Sequence, residues 1–453
     1  MFRWYSFVAL MLIPSFIVPT AVADSLHAGA AAIDIPADDS MDMAGGILAW
    51  KAQGQEGKLR SSAVVLELGG SRIAIVSCDV LFVQRDFADK AAAEIEKKTG
   101  IPASNILIHA THTHSAPSAT RVHGYQRDNK FVEGLTQSII DSVVAANDNV
   151  KKNGNAELLF RLGEESSVGQ NSRLLLSDGT IFWVGSHDDA VRPTGPFDPE
   201  LPVLSFVTAD KKSPIATIFN HSTHTIGTRG QMKRSPAFYG LAAQELEADH
   251  GGTYIFLEGA SGSTHNFNLN ADEMVTRIKK AVERALASAQ PQKVSRLVAI
   301  KEPFEFRIRM FDETAEEEAV RNYLSRRYKN PQDVETVSGV FRTQRSEIAP
   351  HRGEKRTTWI QTILIGDIAI VGIPAEFFTI LGQEIKRQSP YRYTYISELS
   401  NDWVGYVPDQ EGFKLGGYQV WSGHHSYCEP GTGERMVQTA VKQLQSLKAA
   451  ETP

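Results

Sequence analysis

The order of apolar and polar positions predicts strands and helices along the whole chain. Residues 62–83, SAVVLELGGSRIAIVSCDVLFV, form two apolar stretches joined by Gly69-Gly70, a pattern typical of a β-hairpin. Residues 85–100, RDFADKAAAEIEKKTG, predict a helix that ends at Gly100, and the apolar run NILIHA that follows predicts a buried strand. Strand pairs and helices therefore alternate from the start.

The same alternation continues to the C-terminal region. Residues 130–148 and 271–289 carry apolar side chains at helical spacing. Residues 357–378, TTWIQTILIGDIAIVGIPAEFF, predict a second hairpin that turns at Gly366-Asp367. This pattern favours an α/β fold: a layered sandwich of largely antiparallel β-sheets flanked by helices, and not a doubly wound parallel sheet.

The chain contains no internal repeat and no low-complexity linker. Residues 24–453 are therefore predicted to form one domain. Residues 301–356 are more charged and less periodic than the rest, which predicts an insertion or a subdomain within it.

The N-terminus has the pattern of an export signal. Arg3 is followed by an apolar stretch from Phe7 to Val18 and by Ala21-Val22-Ala23, a small-x-small cleavage site. The apolar stretch is shorter than the roughly 20 residues of a membrane span, so a signal peptide over residues 1–23 is favoured over an uncleaved anchor. We expect a periplasmic or secreted protein that begins at Asp24.

Charge and cysteine content narrow the class of protein. The formal net charge is -6 and no long basic run occurs, which argues against a nucleic-acid partner. Cys78 and Cys428 are the two cysteines. A disulfide between them and two buried free thiols both remain open, but a disulfide-rich scaffold is excluded.

Histidines and a carboxylate stand where apolar strands end. In NILIHATHTHSAPSA, alternate residues of an extended chain share a face, so His112 and His114 project together while His109 points elsewhere. The segments PIATIFNHSTHTIG and IAIVGIPAEFFTILGQEI end apolar strands at His221 and Glu376. A hydrogen-bonded histidine pair and a carboxylate bonded to helix N–H groups are the alternatives. Taken together, histidines at the ends of two apolar strands and a carboxylate at the end of a third predict a catalytic zinc site with an open position.

Five segments in this order resemble the neutral/alkaline (non-lysosomal) ceramidase family: THTHSAP, FNHST, FLEGASGS, IPAEFFTILGQEI and GYVPDQEGF. The resemblance extends from LHAGAAAIDIP through GPFDPELPVLSF to about residue 445, nearly all of the predicted mature chain. Full ceramidases continue into an immunoglobulin-like C-terminal domain, so the chain looks like a short bacterial-type relative.

The resemblance implies one zinc ion per chain and its ligands. His112 and His221 match the two histidine ligands of the family, and Glu376 matches its carboxylate ligand. Tyr406 of GYV matches the tyrosine that completes the zinc site.

The resemblance also implies further active-site residues. His114 matches a histidine that assists catalysis, and Tyr418 a second active-site tyrosine. Arg173 in QNSRLLL stands where the family has an active-site arginine, although its neighbours differ. The remaining histidines near these motifs are left outside the predicted site: His123, His224, His424 and His425.

One motif departs from the family. Ceramidases carry GDVSPN, whose serine lies by the zinc, whereas this chain has GSTHN, with Ser263 for the aspartate and His265 at the serine position. Two mechanisms follow: Ser261 or Ser263 is a nucleophile, or water activated by zinc attacks directly. The second is favoured, because neither serine has an evident base in the local sequence while the series of metal ligands is complete.

The sequence therefore predicts an exported, zinc-dependent hydrolase that cleaves the amide bond of an N-acyl substrate, ceramide or a related N-acyl lipid. One alternative is a zinc esterase or deacylase acting on glycans or small metabolites. Another is a non-catalytic binding protein that retains the metal. At most peripheral contact with a membrane is expected.

Overall fold

The computed structural model describes residues 1–2 and 25–450. The predicted signal peptide therefore lies almost entirely outside the described residues, as does the predicted cleavage after Ala23. Among the described residues, no helix is both long enough and apolar enough to cross a membrane.

Strands and helices alternate over the described residues. The strands of the N-terminal half are β1 (His27–Asp34), β2 (Asp42–Met43), β3 (Trp50–Lys51), β4 (Arg60–Leu68), β5 (Ser71–Cys78), β6 (Ile106–Ala110), β7 (Ala156–Glu164), β8 (Gly169–Asn171), β9 (Leu174–Leu176), β10 (Ala190–Pro193), β11 (Glu200–Thr208) and β12 (Pro214–His221). The remaining strands are β13 (Thr253–Glu258), β14 (Thr264–Asn266), β15 (Gln290–Gln292), β16 (Leu297–Arg307), β17 (Lys355–Ile365), β18 (Ile368–Gly372), β19 (Glu376–Phe377), β20 (Tyr393–Ser397) and β21 (Tyr406–Val407). The α-helices are α1 (Arg85–Thr99), α2 (Asn129–Asn153), α3 (Ala237–His250), α4 (Ala271–Ala287), α5 (Glu313–Arg327), α6 (Pro331–Ile348), α7 (Thr379–Gln388), α8 (Gln410–Leu415) and α9 (Thr432–Ala449).

Three large sheets form the framework. Their strand orders are β1-β4-β5-β6, β13-β12-β11-β7-β15 and β16-β17-β18-β20. Most neighbouring strands are antiparallel, but each sheet contains one parallel pair: β5 with β6, β12 with β13, and β18 with β20. The sheets thus have the mixed, largely antiparallel pairing that the sequence predicts.

The core explains the layering. Alternate side chains of the three sheets meet in one shared apolar cluster, to which β4 gives Val64 and Leu66 and β18 gives Ile368 and Ile370. The opposite faces are covered by helices: α1 and α2 on the first sheet, α3 and α4 on the second, and α5, α6, α7 and α9 on the third. The predicted layered sandwich with flanking helices is confirmed.

Local signals place the predicted turns correctly. Gly69 and Gly70 both have positive φ, 55° and 81°, as the two-residue turn between β4 and β5 requires. Gly100 ends α1 in the left-handed conformation, and its N–H donates to Glu96 O. The second predicted hairpin turns between β17 and β18.

The charged segment 301–356 contains the end of β16, the helices α5 and α6, and the first residues of β17. The two helices pack on each other and on the core of the third sheet through Val320, Leu324 and Phe341. Arg345 of α6, fully buried, forms ion pairs with Glu313 and Glu317 of α5. The segment is thus an ordered helical pair against that sheet.

Both cysteines are free and buried. Burial raises the pKa of the Cys78 thiol to about 12, and it raises the pKa of Cys428 as well. The sequence left open a disulfide between the two cysteines or two buried free thiols, and the structure has the two buried free thiols.

Candidate active site and metal centre

Each large sheet contributes residues to one site. His112 and His114 follow β6 of the first sheet, and His224 follows β12 of the second. Glu376 follows β18 of the third sheet and lies beside Tyr406 in the parallel pair β19–β21. The carboxyl ends of strands from all three sheets therefore converge on one point.

Three imidazoles form the centre of the site. One ring nitrogen from each of His112, His114 and His224 lies within 4.8 Å of the others, an arrangement that can hold a metal ion. The Nε2 atoms of His112 and His114 are 3.2 Å apart. The ring of His224 meets that of His112 edge to face, with centroids 4.5 Å apart.

Backbone carbonyls fix the orientation of these rings. Each Nδ1 faces a carbonyl oxygen: His112 faces Leu81 at 3.2 Å, His114 faces Gly45 at 2.9 Å, and His224 faces Ser261 at 3.1 Å. A carbonyl only accepts, so Nδ1 donates and the neutral ring keeps a lone pair on Nε2. Lone pairs 3.2 Å apart cannot bond to each other, but they can bind a cation, and second-shell carbonyls of this kind orient metal-bound histidines.

Oxygen donors complete the set. Glu376 Oε2 is 3.7 Å from His112 Nε2 and 3.6 Å from His224 Nε2, while Tyr406 Oη is 3.1 Å from His224 Nε2. These spacings are close to the roughly 3.3 Å between ligands of a tetrahedral zinc ion with bonds of about 2.0–2.1 Å. The donors present fit zinc.

Electrostatics favours the metal-binding form of the histidines. Burial, and then the neighbouring imidazoles, hold the pKa of His112 and of His114 well below the usual value. Both rings are therefore neutral, as metal ligands must be. Trp403 Nε1 donates to Glu376 Oε1 at 3.0 Å and so directs the other carboxylate oxygen toward the histidines.

The backbone around the site has one strained residue and two places where loops approach each other closely. His112 has φ 59°, a left-handed conformation that is costly for a residue with a side chain. At Gly262 an added Cβ would lie 2.3 Å from Glu376 O, and at Gly45 it would lie 2.5 Å from His114 Cβ. Two glycines thus let neighbouring loops approach the predicted ligands closely.

A small cavity adjoins the donor set. Its volume is about 30 Å³, room for a water molecule or two. His112, His114, Glu376, Tyr406 and Tyr418 line it, together with aromatic and apolar side chains. The ring of Trp183 stacks on Tyr418 with centroids 4.4 Å apart.

His221 lies outside this cluster. Its Nε2 donates to Glu165 O at 2.7 Å, and its Nδ1 accepts from the hydroxyl of Tyr239, so both ring nitrogens are used. His224, three residues further on, stands where the resemblance placed His221. His221 is the last residue of β12 and His224 lies on the loop that follows, so the path of the chain at the end of this strand decides which histidine reaches the cluster.

Arg173 supports the segment around Tyr418 and does not line the cavity. Its guanidinium donates to Gln419 Oε1 at 2.7 Å and to Gly416 O at 2.7 Å, and it lies over the ring of Phe378. Burial lowers its pKa to about 10.

Ser261 bridges two buried glutamates. Its Oγ is 2.8 Å from Glu258 Oε1 and 2.6 Å from Glu398 Oε1, and a hydroxyl has only one hydrogen, so one carboxyl must be protonated. Glu398 Oε2 accepts the N–H groups of Ser261 and Phe377, whereas Glu258 Oε2 has no partner among the described residues. These contacts make Glu398 the charged partner and Glu258 the neutral one.

The other residues of the altered serine motif do not line the cavity either. Ser263 Oγ lies 3.1 Å from Thr379 Oγ1 and accepts from Thr379 N at the start of α7. His265 stacks against His224 with centroids 5.7 Å apart and has its Nδ1 3.1 Å from Asn266 O. His265 is therefore an immediate neighbour of the cluster.

Sequence reasoning missed His123, His224, Trp403 and His425 as residues of the site. A second histidine on the loop after β12 signalled His224. The sequence gives no comparable signal for the other three, which reach the cavity from separate loops. His109 was correctly separated from the pair: its Nδ1 donates to Glu398 O at 2.7 Å, and its Nε2 accepts from Glu258 N.

No protein-family model matches the chain, and no curated protein matches it in sequence. Several solved chains are similar to it, among them two ceramidases. The crystal structure of neutral ceramidase from Pseudomonas aeruginosa has a TM-score of 0.72 at 19% identity, over 94% of this chain and 75% of that chain. A ceramidase complexed with C2 has a TM-score of 0.72 at 18% identity, over 94% of this chain and 76% of that chain. The chain thus has the ceramidase fold, as the sequence resemblance implied.

Proposed function

We propose that this protein is an exported, zinc-dependent hydrolase that cleaves the amide bond of an N-acyl substrate. The observation that carries the proposal is the convergence of three imidazole Nε2 atoms with a carboxylate and a phenol beside a small cavity. In this proposal His112, His224 and Glu376 hold one zinc ion, with Tyr406 next to His224. When bound, zinc polarises an acyl carbonyl and makes water a nucleophile near neutral pH.

The remaining polar groups of the site have separate roles in proton transfer and charge stabilisation. His114 stands 3.2 Å from His112 and lines the cavity, so it can move a proton between water and the leaving amine. Tyr418, also on the cavity wall, donates its hydroxyl hydrogen to the oxygen on which negative charge develops. Arg173 acts through the segment that carries Tyr418, and no serine nucleophile is required.

A lipid N-acyl substrate, ceramide or a relative, is the substrate class that we favour. Support comes from the fold shared with ceramidases, one of them complexed with C2. A second cavity of about 490 Å³ adjoins the Tyr418 segment. Ile181, Tyr323, Val420 and Trp421 line it, together with the charged side chains Asp312, Glu316 and Arg326. The volume and the apolar part of this lining suit an acyl chain.

Export rests on the signal peptide predicted over residues 1–23, which would place the enzyme in the periplasm or outside the cell. The N-terminus of the native protein should be at or near Asp24. A mature protein that begins at Met1 would contradict this part of the proposal.

Turnover of a substrate panel tests the function. Purified mature protein, loaded with zinc, is incubated with ceramide and with fluorogenic N-acyl and O-acyl compounds, with His112→Ala as the inactive control. Release of fatty acid from N-acyl substrates supports the proposal. Turnover of O-acyl compounds alone identifies an esterase, and tightly bound zinc without any turnover identifies a binding protein.

A further inference from the structure

A chain of hydrogen bonds runs from α6 to the cavity. It begins at Gln344, which is buried on the helix side that faces the site. The backbone N–H of His424 donates to Gln344 Oε1 at 3.1 Å. A backbone N–H can only donate, so this contact fixes the amide oxygen of Gln344 and leaves its nitrogen for the other neighbour.

That neighbour is His123. Gln344 Nε2 lies 3.3 Å from His123 Nδ1, and an amide nitrogen only donates, so Nδ1 must accept. The ring is buried, and burial lowers its pKa to about 3, so it is neutral. Its single proton is therefore on Nε2.

The proton on Nε2 points at Tyr418. His123 Nε2 and Tyr418 Oη are 2.9 Å apart, and with this tautomer His123 donates and Tyr418 accepts. The hydroxyl hydrogen of Tyr418 then points away from His123, into the cavity that these two residues line together with Glu376 and Tyr406. With the opposite tautomer, Tyr418 would give that hydrogen to His123.

We propose that His123 and Gln344 are positioning residues that keep the hydroxyl of Tyr418 as a hydrogen-bond donor toward the substrate. This inference rests on the proposed function. It gives the segment 301–356 a role in the reaction, because Gln344 belongs to its second helix. The backbone of His123 is left-handed, with φ 52°. Strain of this kind is retained mainly at functional sites, which agrees with a role for His123 in the reaction.

The packing around Tyr418 supports a fixed hydroxyl direction. Its ring lies between Trp183 and His425, with centroids 4.4 Å and 5.0 Å away and both planes nearly parallel to it. Rotation of the hydroxyl hydrogen about the C–O bond is thus the freedom that remains, and the bond from His123 removes it.

Kinetics of matched variants tests the role. His123→Phe removes the donor, and His123→Gln restores an amide at that end. Gln344→Met removes the amide that sets the tautomer, together with the acceptor of the His424 N–H. Gln332→Met, an exposed glutamine on the same helix, is the control. We expect kcat to fall roughly ten- to a hundredfold in His123→Phe and about tenfold or less in Gln344→Met. KM and zinc content should change little, and His123→Gln should recover part of the rate.

The tautomer itself provides a readout that does not depend on turnover. Nitrogen-15 NMR of the histidine-labelled protein, with the His123 signal assigned by its loss in His123→Gln, should show the proton on Nε2, and Gln344→Met should show a mixture. A proton on Nδ1 in the unaltered protein would overturn the inference even if the enzyme is active. An unchanged kcat in His123→Phe would overturn it as well. If the protein hydrolyses none of the substrates, the proposed function fails, while the NMR result still decides the direction of the bond.

Discussion

The Nε2 atoms of His112 and His224 both lie near Glu376 Oε2, at 3.7 Å and 3.6 Å. The two rings meet at 88°, so their lone pairs converge on the space beside that oxygen. One histidine comes from the first sheet and the other from the second, and the carboxylate comes from the third. The metal site would therefore tie the three sheets together.

This relationship predicts that His224, and not His221, is needed for metal binding. His224→Ala should lose most of the zinc, because it removes a ligand from the centre of the donor set. His221→Gln should retain zinc, although it should lower the melting temperature through its contacts with Glu165 and Tyr239. Elemental analysis and thermal denaturation of the two variants measure this. Loss of zinc in His221→Gln alone would reverse the assignment.

The next prediction separates a ligand from a proton-transfer group. His112→Ala should abolish both metal and activity, whereas His114→Ala should lose activity and retain most of the metal. The reason is that Glu376 Oε2 lies 3.7 Å from His112 Nε2 and 3.6 Å from His224 Nε2, whereas no contact of this kind joins Glu376 to His114 among the described residues. Metal content and turnover are measured on the same preparations. Equal loss of metal in both variants would make His114 a ligand.

Much of the fold could be predicted from sequence because its signals are local. The turn at Gly69-Gly70, the helix end at Gly100 and the apolar periodicity of α4 need no information from distant residues. The pair His112 and His114 and the carboxylate Glu376 could be identified in the same way, since each follows an apolar strand.

The rest of the site depends on the path of loops. His221 ends β12 and His224 follows it. Contacts with Glu165, Tyr239 and Tyr406, which are distant in sequence, decide which of the two reaches the metal site. The pairing of His123 with Tyr418 joins residues 295 positions apart. Local patterns do not contain such contacts.

The buried carboxyl pair gives a prediction about pH. Burial raises the pKa of Glu258 and Glu398, and the charge of Glu398 raises that of Glu258 further. The folded protein therefore holds a proton that the unfolded chain releases above its ordinary pKa of about 4.5, so stability is lost as the pH rises from there toward the folded value. Glu258→Gln should remove this loss and raise the melting temperature at pH 8 more than at pH 5.

Glu398→Gln is the matched comparison. It replaces the carboxylate that accepts the backbone N–H groups of Phe377 and Ser261. Phe377 is next to Glu376, and the carbonyl of Ser261 orients His224. We expect a lower melting temperature at both pH values and weaker zinc binding in a chelator competition. Equal effects of the two glutamine substitutions would show that the proton is not held by Glu258.

The altered serine motif gives a prediction about mechanism. Ser261 is fully buried between the two glutamates, and Ser263 bonds to Thr379, so neither faces the cavity. Ser263→Ala should keep most of the activity. Ser261→Ala should lower stability, and neither serine should form a trapped acyl-enzyme in mass spectra of the quenched reaction. An acyl group found on either serine would establish a covalent mechanism instead.

The central claim is that this chain holds one zinc ion at the convergence of His112, His224 and Glu376. The most direct measurement is elemental analysis of the protein purified without added metal and without chelators. The account predicts about one zinc per chain, absent in His224→Ala. A folded protein that carries no tightly bound transition metal, and takes up none when zinc is supplied, would contradict it.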